Sequence, residues 1–181
     1  MTQSTPTSKT RRRFNRWWLL GLIPLTLITV GLVIVIAWAS TPTGGVLPEA
    51  QQALESDSVV TVSELDGWYA FIPAQDRATT GFIFYPGGRV LPGAYATVAR
   101  AVAEAGYPSF IVRMPLNLAV IAPNKADEVV AAHPEITRWV IGGHSLGGSM
   151  AATYAKGQPE VVQGLVLMAS YPASWDDLSA R

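Results

Sequence analysis

Cysteine is absent from the 181-residue sequence, which excludes disulfides, thiol nucleophiles and thiolate metal sites together. Histidine is scarce: with only His133 and His144, a zinc site would have to lean on carboxylates alone. No metal and no cofactor is expected on these grounds. Acids are missing before the first long apolar run, where Lys9, Arg11, Arg12, Arg13 and Arg16 all lie. The formal net charge of zero therefore hides an asymmetry. Thirteen basic residues less these five leaves eight for the rest of the chain, against thirteen acidic ones. A mildly acidic body is a poor match for a nucleic-acid partner, and none is expected. Five cations gathered at one end suit a membrane surface better.

Charge is also missing from positions 17–39, "WWLLGLIPLTLITVGLVIVIAWA". As a helix this run spans roughly 35 Å at about 1.5 Å per residue, enough for a hydrocarbon core of about 30 Å. Trp17, Trp18 and Trp38 stand at its ends, where indoles favour the headgroup region. Pro24 is a kink point that a membrane helix tolerates. The rival reading is a cleaved signal peptide, since "AWAS" at 37–40 resembles a small-x-small cleavage site. The run is well beyond the roughly 7–15 apolar residues of a signal core, which favours an uncleaved anchor. Either way the basic end stays in the cytoplasm and the remainder is exported. The expected organisation is a basic tail over 1–16, a transmembrane helix over 17–39, a linker over 40–57 with a short helix around 49–55, and a folded domain over 58–181.

Within that domain the signals alternate. Two β-rich runs over 59–74 are split by Asp66-Gly67, a hairpin turn pair. "TGFIFYPGG" (80–88) is a short continuous apolar run of the kind a buried parallel strand shows. Helical spacing follows, with Tyr95, Val98, Ala99, Val102 and Ala105 on one face and Gly106 as its stop. "SFIVRMP" (109–115) is the next strand. A second helix is expected from Asn124 as N-cap, with Asp127 and Glu128 in its first turn. "RWVIGG" (138–143), a small-residue helix "LGGSMAATYAKG" and a strand over 162–170 complete the order. Hairpin–β–α–β–α–β–α–β implies an α/β domain with a largely parallel sheet covered by helices on both faces.

The strand–helix junction carries "GHSLG" (143–147), a G-x-S-x-G pattern in the context that gives it meaning. A nucleophile elbow needs glycines at Gly143 and Gly147 because strand and helix backbones pass too close for a Cβ. Its strain lifts the Ser145 hydroxyl above the sheet, and the helix N-terminus below favours an oxyanion. The N–H of Leu146 is one expected donor. The second comes from the loop after an adjacent strand, "FYPGGR", through Gly88 or else Gly87. "GGHSLGGS" (142–149) also nearly fits a phosphate-binding loop, but Gly148 stands where that loop needs its lysine. No start of the dinucleotide pattern fits.

"FYPGGRV", "AYATVARAVAEAGYP", "RMPLNLAV" and "WVIGGHSLGGSMAA" together resemble the α/β-hydrolase superfamily, nearest to membrane-anchored bacterial hydrolases related to dienelactone hydrolase. The likeness covers roughly 58–180. It implies a serine hydrolase of esterase or lactonase type acting on a small-molecule ester or lactone, with Ser145 as nucleophile. It also implies a triad in the order Ser, acid, His, and here the sequence is short: no histidine follows Ser145. His144 adjoins the serine on a tight turn and is expected to pack there, His133 to cap a helix near solvent, and Asp176 and Asp177 to form a surface turn or helix start, the other reading being the position where some hydrolases of this kind place their acid. Arg89 is expected as a solvated loop residue, the other reading being contact with an acidic substrate. A chain truncated before the strands bearing the acid and histidine would explain the pattern, with "GLVLMAS" left as an exposed apolar edge. The alternative is a membrane-tethered binding domain that kept the fold and lost the triad.

Overall fold

The computed structural model describes residues 17–75 and 78–179. The basic cluster at positions 9–16 lies outside the described residues. The chain divides into two units between Ala37 and Trp38. The first contains most of helix α1 (Trp17–Ser40), which runs through Pro24 without interruption. Its stretch Gly21–Ser40 is long and apolar enough to cross a membrane.

The second unit is built on one six-stranded sheet. β1 (Val60–Glu64) and β2 (Trp68–Pro73) form the hairpin expected at Asp66-Gly67, closed by the Leu65 N–H donating to Trp68 O at 2.9 Å. β3 (Thr80–Tyr85), β4 (Ser109–Val112), β5 (Arg138–His144) and β6 (Val162–Met168) are mutually parallel, and the spatial order is β1-β2-β4-β3-β5-β6. Helices α3 (Ala96–Glu104), α4 (Ala126–Ala132) and α5 (Leu146–Gly157) make the crossovers. From β3 the chain turns one way to β4; from β5 it turns the other way to β6. The crevice between those two diverging loops is where open α/β sheets place ligands.

Alternation along the central strands sorts the core onto two faces. Phe82 and Phe84 point to α3, where Ala96, Ala99 and Ala103 are buried with Val60, Phe71 and Ile111. Ile83 and Tyr85 point the other way, to a layer formed with Val129, Ile141, Met150 and Tyr154. Of the expected face, Ala99 is buried and Tyr95 and Val102 pack against this cluster half-buried, whereas Ala105 is exposed and the deepest line is Ala96, Ala99 and Ala103. Three alanines let the helix lie close to the sheet, and Val98 and Val102 are left half-buried at its flanks.

Two further expectations are corrected. Asn124 is not the N-cap of α4, which begins at Ala126 with no local side-chain cap. Its terminal N–H is satisfied from across the core: the fully buried Tyr85 hydroxyl accepts from Ala126 N–H at 2.9 Å and donates to Pro123 O at 2.7 Å. The stretch 40–57, expected as a linker with a short helix around 49–55, holds that helix as α2 (Pro48–Gln52) but packs as part of this unit. Ala50 and Ala53 are buried there, and Arg100 of α3 donates to Ala53 O and pairs with Asp57 at 2.8 Å. At the far edge, β6 pairs only with β5 among the described residues, and its Val166 and Met168 are exposed.

Candidate active site

Every non-glycine residue with positive φ among the described residues follows the C-terminal end of a parallel strand. Arg89 follows β3, Leu116 and Asn117 follow β4, Ser145 follows β5 and Ala169 follows β6. Strain of this kind persists only where surrounding structure over-determines it, and it gathers at functional sites. Four loops at one end of one sheet share it here.

Ser145 is the sharpest case. It occupies the N-cap position of α5 at φ 50°, ψ −124°, yet its hydroxyl makes no capping bond. Serine at this position ordinarily turns its oxygen onto its own helix. Here the side chain is exposed and its oxygen has no protein partner among the described residues. The backbone is pinned instead: Ser145 N–H donates to Met168 O at 3.1 Å, and the Ser170 hydroxyl donates to Ser145 O at 2.7 Å. The turn is this tight because Gly143 and Gly147 permit it. A Cβ on Gly143 would stand 2.6 Å from the Gly147 carbonyl carbon, and one on Gly147 would collide with Tyr85 O and Pro86 O.

The loop after β3 lies against this turn. A Cβ on Gly88 would meet Leu146 Cδ2 at 3.3 Å and Leu118 Cδ2 at 3.6 Å, which brings "PGG" and "HSLG" together. Neither Gly88 N–H nor Leu146 N–H donates to a protein acceptor among the described residues. The Leu146 group is an unsatisfied N–H at the head of a twelve-residue helix, where partial positive charge collects. Gly87 differs: its N–H donates to the Tyr95 hydroxyl at 3.1 Å. That hydroxyl also meets His144 Nδ1 at 3.0 Å. Burial pushes the Tyr95 pKa above its ordinary value despite the opposing Gly87 N–H, so the phenol is protonated at neutral pH.

The remaining titratable residues sit elsewhere. His144 is held on Tyr95, as a residue packed at the turn. His133 stacks 4.5 Å from Phe110, edge-on to Trp68, with Nδ1 2.9 Å from Glu135. Asp176 closes a turn, its N–H donating to Ala173 O at 2.8 Å, but its carboxylate is buried against α5, accepting from the Thr153 hydroxyl and lying 3.6 Å from Lys156 Nζ, while Asp177 is exposed. Thr153 is eight residues along α5 from Ser145, about 12 Å at 1.5 Å per residue. Arg89 is not simply solvated, since its Nε donates to Thr41 O at 3.0 Å and its guanidinium lies 4.4 Å over the Trp38 ring. Among the described residues, the groups bonded to the Ser145 backbone are thus Met168 O and the Ser170 hydroxyl, and no carboxylate is among its partners. Tyr95 and Ser170 were missed in the sequence, Tyr95 because its helical spacing marked it as core. The signal available was its hydroxyl, which needs a partner wherever the ring is buried.

Among solved structures, carboxyl esterase 2 of the fungus Tuber melanosporum is 19% identical over 62% of this chain and 46% of its own, with a TM-score of 0.49. An esterase of Mycobacterium tuberculosis is 21% identical over 65% and 44%, with a TM-score of 0.46. A bacterial membrane phospholipase A is 20% identical over 84% and 51%, with a TM-score of 0.47. The chain spans about half the length of such structures. Likeness at this level says nothing of the site's chemistry. No curated protein sequence matches the chain. A family model does: that of the alpha/beta hydrolase family matches residues 81–181. With more than half its length matched, and with the parallel sheet and strained strand–helix turn described above, the chain belongs to the alpha/beta hydrolase family.

Proposed function

We propose that the protein is a serine-nucleophile hydrolase of esterase or lactonase type, related to dienelactone hydrolase and held at a membrane by α1. The observation that carries this reading is Ser145: strained, uncapped and exposed at the head of α5, beside two unengaged N–H groups. In the proposed reaction Ser145 Oγ attacks the acyl carbonyl, its proton passing to a general base. The carbonyl electron pair moves to oxygen, where the N–H groups of Leu146 and Gly88 stabilise the charge. Collapse of the tetrahedral species breaks the ester C–O bond, the alcohol leaving with the proton held by the base; water, losing a proton to that base, then attacks the acyl-enzyme, and the serine leaves with that proton as the acid is released. Gly88 is favoured over Gly87 because the Gly87 N–H is already spent on Tyr95. Arg89 is turned onto Trp38 and Thr41, and this supports a neutral ester or lactone over an acidic substrate. The basic segment before α1 favours a cytoplasmic N-terminus and an extracytoplasmic domain.

The base and the acid are not among the described residues near Ser145. One observation therefore favours a second reading, a membrane-tethered binding domain without catalysis: both histidines are engaged elsewhere, on Tyr95 and on Glu135. Fluorophosphonate labelling with Ser145→Ala as control separates the two. Labelling that depends on Ser145 supports the hydrolase; its absence in the natural gene product supports the binding domain.

A further inference from the structure

Resting on the hydrolase reading, we propose that Tyr95 is a positioning residue: its hydroxyl clamps the oxyanion loop to the nucleophile turn and so sets the spacing of the two oxyanion donors. The link is continuous. Gly88 adjoins Gly87, whose N–H donates to Tyr95 Oη at 3.1 Å; Tyr95 Oη lies 3.0 Å from His144 Nδ1; His144 is two residues before Leu146. In the proposed clamp Tyr95 Oη accepts from Gly87 and gives its one proton to His144 Nδ1, an arrangement that requires the His144 tautomer protonated on Nε2. A Cβ on Gly87 would stand 2.8 Å from His144 Nδ1 and 2.9 Å from Tyr95 Oη, so the three groups meet with no room to spare.

The ring and the hydroxyl have separable roles. The ring packs 4.8 Å from Phe84 and 5.8 Å from the His144 ring, which a phenylalanine would reproduce. The hydroxyl adds a hydrogen-bonded link between the loop after β3 and the loop after β5, beside the backbone packing of Gly147 and Gly88, across the crevice where the sheet changes direction. An oxyanion must lie about 2.7–3.1 Å from both donors to be stabilised, so their spacing controls the rate. The same bond engages His144 Nδ1 with Tyr95, away from the serine hydroxyl.

Two measurements on the full chain in detergent test this. In ring-15N spectra, with His133→Asn assigning the two histidines, His144 is expected to show a bare Nδ1 and a protonated Nε2, and Tyr95→Phe to lose that single tautomer. A mixed tautomer in the unaltered protein, or an unchanged one in Tyr95→Phe, would overturn the clamp, whatever the chain's activity. In fluorophosphonate labelling, Tyr95→Phe is expected to slow the bond-forming rate roughly tenfold with little change in reagent affinity, a loss from misplaced donors smaller than removing one. His144→Ala should slow it similarly and the double variant no further, since both break one link. Equal rates in Tyr95→Phe and the unaltered protein would overturn the clamp and leave the nucleophile standing. Absence of all labelling would instead remove the hydrolase reading, while the spectra still decide the clamp's geometry.

Discussion

Ser145 holds a backbone conformation that stores roughly 1–3 kcal/mol in any residue with a Cβ. Glycine adopts it freely, at an entropic loss of about 0.5–1 kcal/mol in the unfolded chain. Ser145→Gly should therefore raise stability by about 1 kcal/mol in chemical denaturation while losing all serine-directed labelling. A destabilised Ser145→Gly would mean the turn is unstrained and the functional argument from strain is void. Asp57 makes a second residue-scale case. Its carboxylate accepts from Val60 and Val59 N–H at 2.7 and 2.8 Å and pairs with Arg100, and these hold its pKa below the usual 3.8. With the folded value depressed, the stability it contributes is present above pH 3.8 and is lost as pH falls through the lower folded value. Asp57→Asn should flatten the acid limb of a stability-against-pH curve in that window; an unchanged limb would exclude the carboxylate as its source.

At the scale of elements, α4 depends on a cap donated by a strand. Removing the buried Tyr85 hydroxyl leaves Ala126 N–H and Pro123 O without their partner, so Tyr85→Phe should cost about 1–3 kcal/mol in urea unfolding. A loss under about half a kcal/mol would show that α4 needs no such cap. That cap also marks the limit of reading the sequence. Strands, helices and the hairpin were legible because apolar period, Asp66-Gly67 and Gly106 are local signals. Asn124 was an eligible cap by type, but the Tyr85 oxygen about forty residues away satisfied the helix first, and no local pattern announces a tertiary hydrogen bond. The α3 face was legible only in part, through Tyr95, Ala99 and Val102, for a related reason. Valine outweighs alanine in any hydrophobic pattern, whereas close approach to Phe82, Phe84 and Ile111 selects the smaller side chains. Of the site, Gly143, Ser145 and Gly147 could be read directly from strand–turn–helix punctuation. The placement of Tyr95, Ser170 and Asp176 could not, since each depends on which loops the sheet order places side by side.

For the whole molecule, the order β4-β3-β5-β6 is what turns two glycine-rich loops, far apart in sequence, into neighbours at one crevice. An apolar helix long enough to cross a membrane precedes that domain. If it anchors the protein, alkaline carbonate should leave the intact chain in the membrane pellet, and deletion of residues 1–40 should release the domain. Protease added outside sealed cells should then reach the domain and spare the N-terminus; release of the intact chain by carbonate, or protection of the domain, would contradict the anchor or its orientation. The central claim is narrower, that Ser145 is a nucleophile beside a preformed oxyanion site. Its most direct measurement is fluorophosphonate labelling of the natural gene product in its own membranes, followed by mapping of the modified peptide. The account predicts one adduct, on Ser145, abolished by Ser145→Ala; no adduct, or one carried by another residue, would contradict it.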